Sequence, residues 1–259
     1  MQLSDRQQLI LKRLRDEGGT ISSSVLTDSF DVSVQTIRKD LNDLSDLGLV
    51  KRVHGGITLP IQSRNLSFQN RQIINYEAKE MIAHRLVNDL PEGASIFLGI
   101  GTTLQKIAEA LLVHPGLTVV TNNLNAALIL CRNERIDTYL AGGKMRASDQ
   151  DTMGEETTRY LQKFQVNYGI FGVGGIGSDG SLRDFSPEES HVSCAIMENC
   201  DQRILVADRQ KYLRSAPVRT GYLKDIDRFY IDEFPEALTA VCKRANVKVI
   251  SCKPNGDDE

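Results

Sequence analysis

The sequence predicts an α/β chain of two domains, a small N-terminal winged helix-turn-helix and a larger C-terminal α/β domain built on a parallel sheet. Three observations lead there. A helix-forming stretch opening at Ser33 is followed at once by a basic hairpin, Lys51-Arg52-Val53-His54-Gly55-Gly56. From Ser95 onward, short apolar runs alternate with helical segments, the order expected of parallel strands with crossover helices. Between the two patterns lies a polar stretch of little periodicity, from Pro60 to Asn75. The expected organisation is a winged helix over 1–58, a linker over 59–75, an α/β domain over 76–253 and a polar tail over 254–259.

The N-terminal part reads as three helices and a wing. Asp5 to Arg15 carries Leu9, Ile10 and Leu14, Ser23 to Phe30 forms a second helix, and the short Asp31-Val32 turn leads into a third, in helix-turn-helix order. Ser33 is a good N-cap for that third helix, and Val34, Ile37, Leu41 and Leu44 recur on one face. Gln35, Thr36, Arg38 and Lys39 therefore point elsewhere. A major groove accepts one helix, and its first turns reach base edges, so amide, hydroxyl and guanidinium groups there suit sequence reading. Leu49, Lys51 and Val53 then alternate with Val50, Arg52 and His54 before the Gly55-Gly56 turn, as in a small wing beside a phosphate backbone. The expected DNA contacts are Ser33, Gln35, Thr36, Arg38, Lys39, Lys51, Arg52, His54 and Gly55. Any one of these cations alone reads equally well as solvated surface charge. Their joint placement carries the reading.

Net charge adds little. Lys plus Arg number 31 against 34 Asp plus Glu, and residues 1–60 hold eight of each sign, so attraction to DNA depends on placement rather than on a global basic field. No apolar run approaches the roughly 20 residues of a membrane span. The start, Met1-Gln2-Leu3-Ser4-Asp5-Arg6, lacks the apolar core of a secretion signal, and a cytoplasmic location is expected. The cysteines, Cys131, Cys194, Cys200, Cys242 and Cys252, are odd in number and widely spaced, as reduced structural residues are.

The C-terminal part opens with a helix from Tyr76 carrying Ala78, Met81, Ile82, Leu86 and Val87. Strands are expected at Ser95–Leu98, Leu117–Val120, Thr138–Leu140, Tyr168–Val173, Arg203–Val206, Phe229–Ile231 and Val247–Ile250. Helices at Thr103–Leu112, Asn123–Cys131, Thr157–Phe164, Pro187–Cys200 and Pro235–Lys243 separate many of them. Ligands of such sheets bind beyond the carboxyl ends of the strands, and there the unusual residues cluster. Gly99-Ile100-Gly101-Thr102-Thr103 ends the first strand and opens a helix, placing amides and hydroxyls where a phosphate is favoured. An ordinary tight strand-to-helix turn would read the same way. Thr121-Asn122-Asn123, Gly142-Gly143-Lys144 and Gly172-Val173-Gly174-Gly175 close the next three strands, and Asp208 and Lys211 follow a later one. A small hydroxylated anion needs such amide donors, a cation such as Lys211 or Lys144, and a carboxylate such as Glu189 for its hydroxyls.

Taken together, Thr36-Ile37-Arg38-Lys39-Asp40-Leu41, His54-Gly55-Gly56, Gly101-Thr102-Thr103, Thr121-Asn122-Asn123, Ala141-Gly142-Gly143, Asp179-Gly180, Glu189 and Asp208 to Lys211 resemble the DeoR family of bacterial transcriptional repressors, over nearly the whole chain. The resemblance is closest to the glycerol-3-phosphate regulon group. It implies an operator-binding winged helix and a C-terminal sensor domain akin to sugar-phosphate isomerases, taking a phosphorylated sugar or polyol as inducer. Carried over by position, Gly101, Thr102 and Thr103 would hold phosphate, with Asn122, Gly143, Gly174, Glu189 and Lys211 around the remainder. A homo-oligomer, dimer or tetramer, is expected, with no cofactor, metal or membrane partner.

Two rival classes are open. One is an isomerase-like enzyme with Glu189 as base and Lys211 as electrophile. His54, His84, His114 and His191 are scattered and no Ser-His-Asp set stands out, so metal and nucleophilic catalysis find little support. The other is an architectural or activating DNA binder whose second domain only assembles, which leaves the polar strand ends unexplained.

Overall fold

In the computed structural model, which describes residues 3–17, 19–59 and 66–253, the chain divides between Ile74 and Asn75 into two compact units. Part of the expected linker, 60–65, and the expected tail, 254–259, lie outside the described residues.

The N-terminal unit comprises α1 (Asp5–Asp16), β1 (Thr20–Ser22), α2 (Ser23–Phe30), α3 (Val34–Asp46), β2 (Lys51–Val53), β3 (Gly56–Thr58) and α4 (Phe68–Ile73). Its core holds Ile10, Leu11 and Leu14 of α1, Leu26 of α2, and Ile37, Leu41 and Leu44 of α3. Two residues expected on apolar faces lie outside it, Leu9 and Val34, each 52% exposed. In a helix the Cα–Cβ bond tilts toward the N-terminus, so at the first position of α3 Val34 projects past the last packed turn.

The acidic residues of α3 also have a structural task. Asp40 is buried and accepts from Arg6 Nε at 2.6 Å, while Gln7 Nε2 reaches both Asp40 and Asp43. Charge-assisted bonds of this kind pin α1 across α3.

β1, too short to register as a pattern, makes the wing three-stranded in the order β1-β3-β2. β3 is thereby confined on both edges. A Cβ on Gly56 would stand 2.2 Å from the Ile21 carbonyl oxygen, whereas at Gly55, with φ at +76°, nothing lies within 4 Å. Gly56→Ala is therefore expected to destabilise the N-terminal unit by about 2 to 3 kcal/mol, the cost of forcing atoms into packed backbone. Gly55→Asn, which tolerates left-handed backbone, should cost less than about 1 kcal/mol. Urea unfolding of both full-length variants measures the difference.

The stretch expected as linker contains α4. Ser67 caps it, accepting from Asn70 N; Phe68 is buried; and Leu66, Ile73 and Ile74 pack on the N-terminal core. With six residues it offers too few apolar positions for helical periodicity to show.

The C-terminal unit comprises α5 (Tyr76–Asn88), β4 (Ser95–Leu98), α6 (Thr102–Ala110), β5 (Leu117–Thr121), α7 (Leu124–Leu130), β6 (Ile136–Leu140), β7 (Lys144–Arg146), β8 (Asp151–Met153), α8 (Glu155–Leu161), β9 (Val166–Phe171), β10 (Gly175–Ile176), β11 (Ser181–Asp184), α9 (Pro187–Glu198), β12 (Cys200–Val206), β13 (Val218–Tyr222), β14 (Arg228–Ile231), α10 (Thr239–Ala245) and β15 (Lys248–Ser251). Seven strands form one parallel sheet in the order β15-β14-β12-β9-β4-β5-β6. Along β4, Ile96 and Leu98 enter one hydrophobic core and Phe97 the other. With both faces covered, such strands read as continuous apolar runs rather than alternating ones.

From β4 the chain builds outward through β5 and β6, then returns to β4's other side with β9 and continues through β12, β14 and β15. The order reverses between β4 and β9, where a doubly wound sheet opens a crevice beyond its carboxyl ends. Two small antiparallel additions, the β7–β8 hairpin and the sheet β10-β11-β13, were not foreseen in the sequence. No helix among the described residues is long and apolar enough to cross a membrane.

Candidate functional site

On α3 the residues expected to face DNA separate into two groups. Ser33 accepts from Thr36 N at 3.1 Å, and the Ser33 and Thr36 hydroxyls bond each other at 2.8 Å. Both belong to the helix cap. Gln35, Arg38 and Lys39 are exposed on the first two turns, and Lys51, Arg52, His54 and Gly55 are exposed on the wing. Arg6 is drawn into the unit by Asp40, whereas the side chains of Gln35, Arg38, Lys39, Lys51 and Arg52 make no ion pair or hydrogen bond among the described residues. They stand available to a partner.

In the C-terminal unit, the rim begins where β4 ends. Gly101, at φ +119°, caps α6 in backbone that favours glycine. The first amides of a helix have no partner within it, and Thr102 and Thr103, both buried, flank them. The neighbouring β5 end is tied to this one: Thr121 Oγ1 donates to the Leu98 carbonyl at 2.5 Å and Asn123 Nδ2 to that of Gly99 at 3.4 Å. Asn122, 1% exposed, donates Nδ2 to the Thr152 carbonyl at 2.7 Å and accepts Thr152 N on its own carbonyl. Thus β8 is clasped to the end of β5.

Arg146 organises the next part. It faces Asp151 across the β7–β8 hairpin, donates Nε and Nη2 to that carboxylate at 3.0 and 2.6 Å, and donates Nη1 to Glu189 at 2.5 Å. Burial opposes its charge, but the bonds and charges of Asp151 and Glu189 prevail and raise its pKa above the usual arginine range. Glu189 also accepts from Phe185 N at 3.0 Å. The carboxylate expected to meet a ligand is therefore already held on both oxygens. Sequence reasoning stopped at Lys144, which is exposed on β7; Arg146, two residues on and followed by Asp149 and Asp151, was the signal of a charged hairpin.

The two remaining glycines have local explanations. A Cβ on Gly143 would lie 2.2 Å from Thr157 Oγ1, so glycine is needed there for packing. The Gly174 amide is taken up by Asp184 Oδ1 at 2.9 Å, and its carbonyl accepts from Arg214. Asp184 is buried and also accepts from Thr220 Oγ1 at 2.6 Å. Burial pushes its pKa up to about 6, with Glu189 adding to the rise and Lys211 opposing it. That places Lys211 within electrostatic reach of this cluster.

With a folded pKa near 6 above the ordinary 3.8, Asp184 binds a proton more readily in the folded chain. Its contribution to stability is full below the unfolded value and is lost as pH rises through about 6. Asp184→Asn, whose oxygen keeps the bond from the Gly174 amide while the Thr220 hydroxyl turns to accept from Nδ2, is expected to flatten the stability profile between pH 4 and 6, as measured by urea midpoints.

Residues 6–63 match the family model for the DeoR-like helix-turn-helix domain, and residues 74–233 match that for the DeoR C terminal sensor domain. The glycerol-3-phosphate regulon repressor of Haemophilus influenzae is 40% identical over 252 residues, covering 97% of this chain and 98% of that protein. The repressor of the same name from Escherichia coli is 39% identical, covering 91% and 93%. The E. coli HTH-type transcriptional repressor CsqR is 35% identical, covering 85% of each. A ribose-5-phosphate isomerase in complex with phospho-erythronic acid superposes with a TM-score of 0.40 at 14% identity over 54% of this chain and 55% of that one.

Proposed function

We propose that this chain, which belongs to the DeoR family, is a transcriptional repressor released from its operator by a phosphorylated polyol or sugar, glycerol 3-phosphate or a close relative. One observation carries the reading: a single chain joins a winged helix on which Gln35, Arg38 and Lys39 are exposed to a parallel sheet whose polar β4 and β5 ends are tied together beside the strand where the order reverses. The first suits a groove and its phosphates; the second suits a small anion.

Gln35 and Arg38 read bases, while Lys39 on the same helix and Lys51 and Arg52 on the wing hold the phosphate backbone. The first turn of α6, with Thr102 and Thr103, seats the phosphate. Two copies related by a two-fold axis present paired α3 helices to half-sites about one turn apart. Inducer favours the arrangement that fits DNA poorly, and a tenfold to hundredfold shift needs about 1.4 to 2.7 kcal/mol of coupling. A regulatory rather than catalytic role suits Glu189, since a carboxylate bonded by Arg146 and Phe185 N is poorly placed to act as a base.

The test is a gel-shift titration on the DNA upstream of the protein's own gene, with and without glycerol 3-phosphate and small sugar phosphates. Selective release by one compound is expected. Binding untouched by every compound would remove the phosphate-sensing half of the proposal, and no binding would remove the first half.

A further inference from the structure

Among the described residues, Oδ1 of Asn122 and Nδ2 of Asn125 are side-chain atoms shut away from solvent with no hydrogen-bond partner. They occupy one turn: Asn122 directly follows β5, Asn123 caps α7, and Asn125 is the second residue of that helix. The orientation of the Asn122 amide is set by its neighbour. The Thr152 carbonyl can only accept, so Nδ2 faces it and Oδ1 is left as a bare acceptor. Asn125 contributes the opposite, a bare donor. Buried polar groups are nearly always paired, and an unpaired one in a native protein calls for an explanation.

We propose that Asn122 and Asn125 form a hydroxyl subsite of the sensor: an alcohol of the effector donates its proton to Asn122 Oδ1 and accepts a hydrogen bond from Asn125 Nδ2. This rests on the sensor reading above and adds to it the group that distinguishes one phosphorylated ligand from another. An alcohol donates and accepts at once. A phosphate, carboxylate or ketone oxygen only accepts and would meet Oδ1 unfavourably; an ammonium only donates and leaves Nδ2 unmatched. The turn is thus unsuited to the phosphate itself, which belongs at the start of α6. The bonds from Thr121 to Leu98 and from Asn123 to Gly99 hold this turn against the β4 end that leads into α6. Neighbouring strands lie about 4.8 Å apart, so the alcohol sits a short carbon chain away from the phosphate. The class selected is a hydroxylated phosphate monoester of polyol or sugar type.

Calorimetric titration of the full chain tests this with glycerol 3-phosphate, with 3-hydroxypropyl phosphate, which lacks the middle hydroxyl, with 2-hydroxypropyl phosphate, which lacks the terminal one, and with inorganic phosphate. The wild-type chain is expected to bind glycerol 3-phosphate at least about tenfold more tightly than one of the two deoxy compounds, the effect of leaving both amides unmatched. Asn125→Ala should abolish that preference while leaving inorganic phosphate affinity unchanged. The analogue comparison on the wild-type chain needs no variant to fold. Equal affinity for all three esters, or an Asn125→Ala chain that still discriminates as wild type does, overturns the subsite alone. Failure of every phosphate compound to bind overturns the sensor reading and the subsite with it.

Discussion

Arg38→Ala is expected to lower operator affinity at least about a hundredfold while leaving affinity for glycerol 3-phosphate unchanged. Arg38 is exposed on the second turn of α3, beyond the Ser33–Thr36 cap that uses up two of the polar side chains there. A bidentate arginine–guanine contact is worth about 1 to 3 kcal/mol of discrimination. A two-fold complex loses two such contacts, about 2 to 6 kcal/mol, which brackets the stated loss. The substitution touches no core residue, so unfolding midpoints should match wild type. Lys39→Ala gives a different signature: weaker binding to specific and non-specific DNA alike, with a shallower dependence on salt. Fluorescence anisotropy on operator and scrambled duplexes at several salt concentrations separates the two, and normal operator affinity of Arg38→Ala would mean that α3 is not the reading helix.

Thr102→Val is expected to yield a repressor that binds operator normally and no longer lets go. Thr102 is the first residue of α6 and is buried, so valine preserves its shape and removes its hydroxyl. A hydrogen bond to a charged oxygen is worth about 1.5 to 3 kcal/mol, and the inducer affinity should fall about tenfold to a hundredfold. Gel shifts at a fixed inducer concentration read the loss directly. Release as efficient as wild type would place the phosphate elsewhere on the rim.

The main sheet was legible because burial on both faces turns strands into apolar runs. Ser95–Leu98 was read to its limits, and the other strands within a few residues. The helix α3 was legible because its cap, its apolar spacing and its basic sequel agree. What escaped has physical reasons. Val34 fits the apolar spacing of α3, but spacing does not say where the packed part of a helix ends. The short strands β1, β7, β8 and β10 bury too little to leave a pattern. Arg146 escaped because an ion pair across a hairpin depends on register rather than periodicity. The glycine-rich strand ends read alike in sequence. Gly101 stands at the start of α6, whereas Gly143 answers to Thr157 and Gly174 to Asp184. Asn125 was invisible as a site residue, since a lone asparagine in the first turn of a helix suggests nothing until its amide is found buried and unpaired.

The proposed release of operator by inducer requires a coupling free energy between DNA binding and ligand binding, and such coupling is reciprocal. The most direct measurement is the affinity of the full chain for its inducer, taken once on the free protein and once on the protein saturated with operator duplex. Operator is expected to weaken inducer binding by the same factor, tenfold to a hundredfold, by which inducer weakens operator binding. Equal inducer affinity in the two states would contradict it, leaving a DNA-binding protein and a ligand-binding protein on one chain with no communication between them.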